Sequence, residues 1–158
     1  MTDIQPRMPN PATILPQSYK GIGNLLAAVS SGGLSPATVE LTALRVSQLN
    51  GCATCIQGHV LSGEKAGLTL AQLLGVSAFR TSPFFDDAQK AALELAEALT
   101  LVAASPEEPV DDALWERVCA HYDETQRAAL IVNIGTTNLF NRINIAVREE
   151  VENPFWLR

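Results

Sequence analysis

Apolar residues recur at helical spacing along most of this chain, and proline, glycine and short polar clusters separate the segments they define. From Tyr19 to Ser30 the pattern reads as helix and stops at Gly32-Gly33. Ser35-Pro36 then sets a hydroxyl cap before a proline at the first helical position, and PATVELTALRVSQLN comes next with Leu41, Leu44 and Leu49 in register. Gly51 interrupts this helix. Thr69 with Gln72 has the form of a capping box and opens a short helix through Leu74. Pro83 breaks the next stretch, after which Asp86 caps the alanine- and leucine-rich run DAQKAALELAEALTLVAA. A Pro106/Pro109 loop ends that run. Asp111 starts a shorter helix towards His121, and Asp123 with Gln126 starts a long last one reaching about Val147. No period-2 strand emerges, and Asn50-Gly51 lies between helical patterns instead of strands. The expectation is an all-α domain of about seven helices spanning residues 1–158. Residues 5–16 hold Pro6, Pro9, Pro11 and Pro16, too many for a helix or central strand, and read as an extended arm on its own subunit or a neighbour.

Composition narrows the function classes. A chain of 158 residues suits one domain, which buries roughly 68–70% of its unfolded surface and so needs no staple to fold. Hydrophobic content of 47% against 18% charged fits a packed globule and not a disordered chain. A net charge of −6 speaks against nucleic acid and anionic membrane surfaces as partners, since both recruit cationic footprints. The start MTDIQPRMPNP lacks the basic and apolar regions of a secretory signal. The most apolar stretch, AALIVNIGTTNLFNRINIAV, is interrupted by Thr136, Thr137, asparagines and Arg142 before it could span a bilayer. A cytoplasmic protein is expected.

Three cysteines, only two of them close, are then more consistent with chemistry than with a structural bridge. The close pair lies in NGCATCIQGHV. If a helix starts near Cys52, then Cys52, Cys55 and His59 share one face, because positions i, i+3 and i+7 fall within about 60° of arc. Cys55 and His59 form an i,i+4 pair, and the free N–H groups of the helix start favour a thiolate. Glu40 belongs to the preceding helix. A break as short as Asn50-Gly51 places the two helices side by side, so its carboxylate has the chance to orient the imidazole as a proton acceptor.

The run ELTALRVSQLNGCATCIQGHV resembles the signature of the AhpD-like branch of the carboxymuconolactone decarboxylase superfamily: a glutamate, a Cys-x-x-Cys twelve positions on, and a histidine four after the second cysteine. NLFNRINIAV resembles the longer peroxidase-related members more weakly. The resemblance implies an AhpD-like helical fold and a thiol-dependent peroxidase or disulfide reductase. A thiolate reduces the peroxide, its partner cysteine closes a disulfide, and an external dithiol donor reopens it. Carried over by position, Cys55 would attack, Cys52 would resolve, His59 would act as base directly or through water, and Glu40 would orient it. That scheme needs neither a bound cofactor nor a metal. Thr54 stands where the best-known pattern has a second histidine, which puts efficient hydroperoxide reduction in doubt more than dithiol chemistry. On the residues alone the nucleophile stays open: the helix dipole favours Cys52, whereas the neighbouring base favours Cys55, and Cys55 is the expectation.

Plainer readings compete. Zinc could take Cys52, Cys55 and His59, with Cys119 or His121 as a fourth ligand, although no second pair occurs at finger spacing. A lactone decarboxylase like the superfamily's namesakes would need no dithiol. Cys119, near Leu114 and Val118, is expected in the core, and His121 on the surface. Arg45, Asn138, Asn141 and Arg142 are expected on solvated helix faces. Phe155 and Trp156 are expected to dock on the body or across an interface. With the arm they imply self-assembly, and the resemblance implies a trimer or hexamer.

Overall fold

Five helices begin where a side-chain oxygen meets free N–H groups three residues on. Ser35 accepts from Thr38 N, Thr69 from Gln72 N, Asp86 from Gln89 N, Asp111 from Leu114 N and Asp123 from Gln126 N. Each such cap is worth about 1 kcal/mol. The computed structural model describes residues 5–104 and 108–152. Among these lie eight α-helices and no strand: α1 (Pro11–Ile14), α2 (Pro16–Ser31), α3 (Pro36–Asn50), α4 (Ala53–Lys65), α5 (Leu70–Gly75), α6 (Asp87–Thr100), α7 (Asp112–His121) and α8 (Glu124–Val147). Phe155 and Trp156 fall outside the described residues.

Two boundaries differ from the sequence-based expectation. The prolines of the arm do not exclude helix: Pro11 and Pro16 occupy the first positions of α1 and α2, where a missing N–H costs nothing. The helix expected from Tyr19 therefore starts at Pro16. At the other boundary, α6 ends at Thr100 and a 3₁₀ turn, Val102–Ala104, takes over, because Leu101 and Val102 face solvent and have no core to hold them in register.

The centre of the molecule is α3, which packs against α4, α6 and α8. One core cluster joins Val46 of α3 to Leu95 of α6, Val118 of α7 and Leu130 and Ile134 of α8. The other joins Leu41 and Leu44 to Leu73, Phe79 and Leu93. Burying a side chain such as Leu44 stabilises the fold by about 1.5–3 kcal/mol.

Surrounded on several sides, α3 also buries polar residues, and α8 satisfies them. Asn133 Nδ2 donates to Thr42 Oγ1 at 3.0 Å, Asn141 Nδ2 to Ser47 Oγ at 3.0 Å, and Asn50 Nδ2 to Asn141 Oδ1 at 2.8 Å. Asn141 is fully buried, so its expected place on a solvated face is corrected: it builds the α3–α8 seam. Asn138 is half-buried in the same seam, and Arg45 is half-buried against Glu97. Arg142 is exposed. Among the described residues no buried side-chain nitrogen or oxygen lacks a partner.

Beyond α8, residues 5–10 lie back on the end of that helix. Arg7 N donates to Val147 O at 2.8 Å and Arg7 Nη1 to Ala146 O at 3.0 Å, taking up carbonyls that the last turn leaves free. The arm thus packs on its own subunit. Among the described residues, no helix is long and apolar enough to cross a membrane.

Candidate active site

The turn after α3 sets up the site. Gly51 adopts the left-handed conformation, φ 69°, that favours glycine. Gly51 N donates to Gln48 O and Cys52 N to Ser47 O, the paired bonds of a Schellman motif. The chain leaves that motif with Cys52 extended as the N-cap of α4, and α4 runs back along α3. Cys55 then falls in the first turn of α4, with His59 one turn further on.

Cys52 and Cys55 are joined as a disulfide, their Cα atoms 5.3 Å apart, inside the range that such a bond needs. Glu40 Oε2 meets His59 Nδ1 at 2.8 Å, across the α3–α4 contact. The four residues singled out in the sequence are therefore brought together. Both members of the Glu40–His59 pair keep partial contact with solvent, at 21% and 27% of their side-chain surface. Protons can therefore reach the ring.

A cavity of about 440 Å³ opens on this cluster. Its polar end carries Glu40, Cys55, His59 and Asn144, and its walls are mainly apolar, with Ile22 and Leu26 from α2 and Phe140 from α8. Both cysteines are buried, Cys52 at 2% and Cys55 at 5% exposure, and of the two only Cys55 lines the cavity. A larger concavity of about 570 Å³ lies between α6 and α7. Its charges are already matched, Arg80 to Glu97 at 2.6 Å and Arg117 to Glu94 at 2.8 Å, and no thiol or imidazole lines it. The smaller cavity is the one lined by a cysteine and a histidine.

Sequence reasoning missed what surrounds the sulfur. Asn144 Nδ2 donates to Cys55 Sγ at 3.4 Å. Asn10, from the arm, donates to both Asn144 Oδ1 at 3.0 Å and Glu149 Oε2 at 2.9 Å. Thr54, which replaces the second histidine of the resembled pattern, is buried and donates to Glu149 O at 2.7 Å, tying α4 to the segment after α8. Asn133, Asn141 and Asn144 do recur at helical spacing, but Thr136, Thr137, Asn138 and Arg142 lie among them and leave no clean polar stripe to single Asn144 out.

Cys119 is exposed on α7, not in the core: Leu114 and Val118 take the inward face, and the next residue is rotated about 100° away. His121 is exposed at the end of the same helix. Neither lines the cavity. Among the described residues, no three His, Cys, Asp or Glu side chains are grouped so as to hold a metal ion.

The sequence model of the carboxymuconolactone decarboxylase family matches residues 16–98. The chain belongs to this family. The matched span includes Glu40, Cys52, Cys55 and His59 but neither Asn10 nor Asn144. Among its relatives, the uncharacterized protein YdfG of Bacillus subtilis (strain 168) is 37% identical over 134 residues, covering 85% of this chain and 89% of its own. A crystal structure of a protein of unknown function from Agrobacterium tumefaciens, suggested to be an antioxidant defence protein AhpD, superimposes with a TM-score of 0.83 at 31% identity, covering 92% of this chain and 97% of its own. The debrominase Bmp8, solved with 2,3,4-tribromopyrrole, gives a TM-score of 0.73 at 17% identity, covering 88% of this chain and 73% of its own. At that identity the likeness shows the fold alone. The AhpD-like arrangement of this carboxymuconolactone decarboxylase family member is thus common to proteins named for different roles, and its chemistry has to be argued from the site.

Proposed function

We propose that this protein is a dithiol oxidoreductase of the AhpD-like kind, which reduces organic hydroperoxides or partner disulfides. The observation that carries the reading is the closed Cys52–Cys55 pair, with Cys55 facing a cavity beside the Glu40–His59 pair. In the reduced enzyme the Cys55 thiol gives its proton to His59, directly or through water, and the thiolate attacks the distal oxygen of the peroxide. The O–O bond breaks, the sulfur becomes a sulfenic acid, and the departing alkoxide takes a proton from His59 to leave as an alcohol. Cys52 then displaces hydroxide from the sulfenic acid. The S–S bond closes, and hydroxide leaves as water with the proton of the Cys52 thiol. An external dithiol, protein or small molecule, reopens the bridge through a mixed disulfide and is itself oxidised. Glu40 holds the imidazole in place throughout. That Cys55 lines the cavity and Cys52 does not supports Cys55 as the attacking thiol.

The proposal includes self-association as a closed ring, a trimer or hexamer. Exposed apolar side chains on α2 and α8, among them Leu25, Ile131 and Ile145, support that reading. Light scattering on the purified protein measures the mass.

The test of the chemistry is a set of single substitutions assayed with an organic hydroperoxide and with a small disulfide, in the presence of excess dithiol. Cys52→Ser and Cys55→Ser abolish turnover, while Cys119→Ser leaves it unchanged. Full activity in both site mutants would remove the proposal. Activity on a lactone that survives alkylation of both thiols would place the protein with the namesakes of its family instead.

A further inference from the structure

The buried amides behind Cys55 form a closed hydrogen-bond account. Asn10 and Asn144 are each 3% exposed, so their polar atoms must be matched within the protein. An asparagine side chain offers one acceptor oxygen and two N–H donors. For Asn10, the oxygen accepts from Ala12 N at 3.0 Å, and the nitrogen donates to Asn144 Oδ1 and Glu149 Oε2. Turning this amide over would set its nitrogen against the Ala12 N–H and its oxygen against two other acceptors. Three contacts therefore fix its direction.

That direction fixes the next amide. The Asn144 oxygen must face the Asn10 donor, and its nitrogen must then face Cys55 Sγ, 3.4 Å away. The donor at the sulfur is thus imposed by the network. A thiolate accepts a hydrogen bond far more strongly than a neutral thiol does, so a fixed donor favours the charged form.

We infer that Asn144 is a catalytic residue that stabilises the Cys55 thiolate by hydrogen bonding, and that Asn10 of the N-terminal arm is its positioning residue. The inference rests on the proposed role of Cys55 as the attacking thiol. The donor serves twice. It holds the sulfur charged before attack, and it faces the same atom when that sulfur leaves as thiolate from the mixed disulfide with the external donor.

The experiment uses the full chain carrying Cys52→Ser and Cys119→Ser, which leaves Cys55 as the sole thiol, and tracks the rate of alkylation by iodoacetamide against pH. Asn144→Ala raises the titration midpoint by about one pH unit, a roughly tenfold loss of thiolate below the midpoint. Asn10→Ala moves it the same way by less, and Asn138→Ala, which cuts a seam contact away from the sulfur, leaves it in place. Circular dichroism establishes that each variant is folded, and where Asn144→Ala does not fold, Asn10→Ala carries the test. An unmoved midpoint in a folded Asn144→Ala variant, or in Asn10→Ala where it stands in, overturns the inference. If the parent midpoint sits at the free-thiol value of about 8.5, the assignment of Cys55 as attacker fails separately, whatever the asparagine variants do.

Discussion

Opening the Cys52–Cys55 bridge should cost this protein little stability, and the cost can be worked from the chain. The two residues are three positions apart, so the disulfide closes a very short loop. In the chain-entropy treatment, a loop of that length removes about 6 cal/mol/K from the unfolded state, or about 2 kcal/mol near room temperature. Part of this returns on reduction, because Cys55 stands in the first turn of α4 and a thiolate there meets the positive end of the helix for up to about 1 kcal/mol. Neither cysteine belongs to the two apolar clusters that hold α3 to α6, α7 and α8. A domain of this kind has about 5–15 kcal/mol to lose before it unfolds. The reduced protein should therefore stay native and lose about 1–2 kcal/mol. Urea unfolding of the Cys119→Ser protein, with and without a dithiol reductant, measures this as a shift in midpoint at constant slope. A loss above about 4 kcal/mol, or a reduced state without native circular dichroism, would mean the bridge is a structural staple and that the cycle proposed for it has no reduced enzyme to start from.

Three further outcomes are expected. Glu40→Gln, which keeps the shape but removes the charge behind His59, should lower turnover by about tenfold to a hundredfold, less than the roughly 10²–10⁴-fold loss on removing the base itself; steady-state rates of Glu40→Gln and His59→Ala check the order. Tyr122, whose hydroxyl donates to Ala88 O at 2.8 Å, has its phenol pushed up to about 12, chiefly by burial. Its neutral form is favoured by the fold, so its contribution is complete below the unfolded value of about 10 and lost as pH rises from there towards 12. Denaturant midpoints should fall across that window, and Tyr122→Phe should flatten the fall. A Cβ at Gly63 of α4 would meet Leu73 Cδ2 at 2.9 Å and Leu68 Cδ1 at 3.1 Å, so Gly63→Val should destabilise by about 1–3 kcal/mol, read from thermal unfolding, and no loss would show that the leucines yield freely.

Legibility in the sequence depended on the range of each interaction. Ser35, Thr69, Asp86, Asp111 and Asp123 cap helices through partners three residues away, and each was readable because cap and partner are neighbours in the chain. The Glu40–His59 pair was readable because one tight turn joins the two helices that carry it, so a separation of 19 residues behaves almost as a local contact. Asn144 and Asn10 were not. An asparagine on a helix looks the same in sequence whether it meets water or a buried amide, and only the fold brings position 10 beside position 144. Pro11 and Pro16 misled for a related reason, since a proline ends a helix when the helical run lies before it and begins one when the run lies after it.

The sulfur's surroundings are completed by contacts that span most of the chain: 89 residues from Cys55 to Asn144, 95 from Thr54 to Glu149 and 134 from Asn10 to Asn144. During synthesis from the ribosome, α3 and α4 emerge together and pair early, while the donor to the sulfur is made 89 residues after Cys55. A nascent chain therefore displays its two cysteines before the amide inferred to tune Cys55 has arrived. On the proposed reading, redox reactivity matures only when α8 docks against α4, so the site is assembled in two stages, helix pair first and amide second.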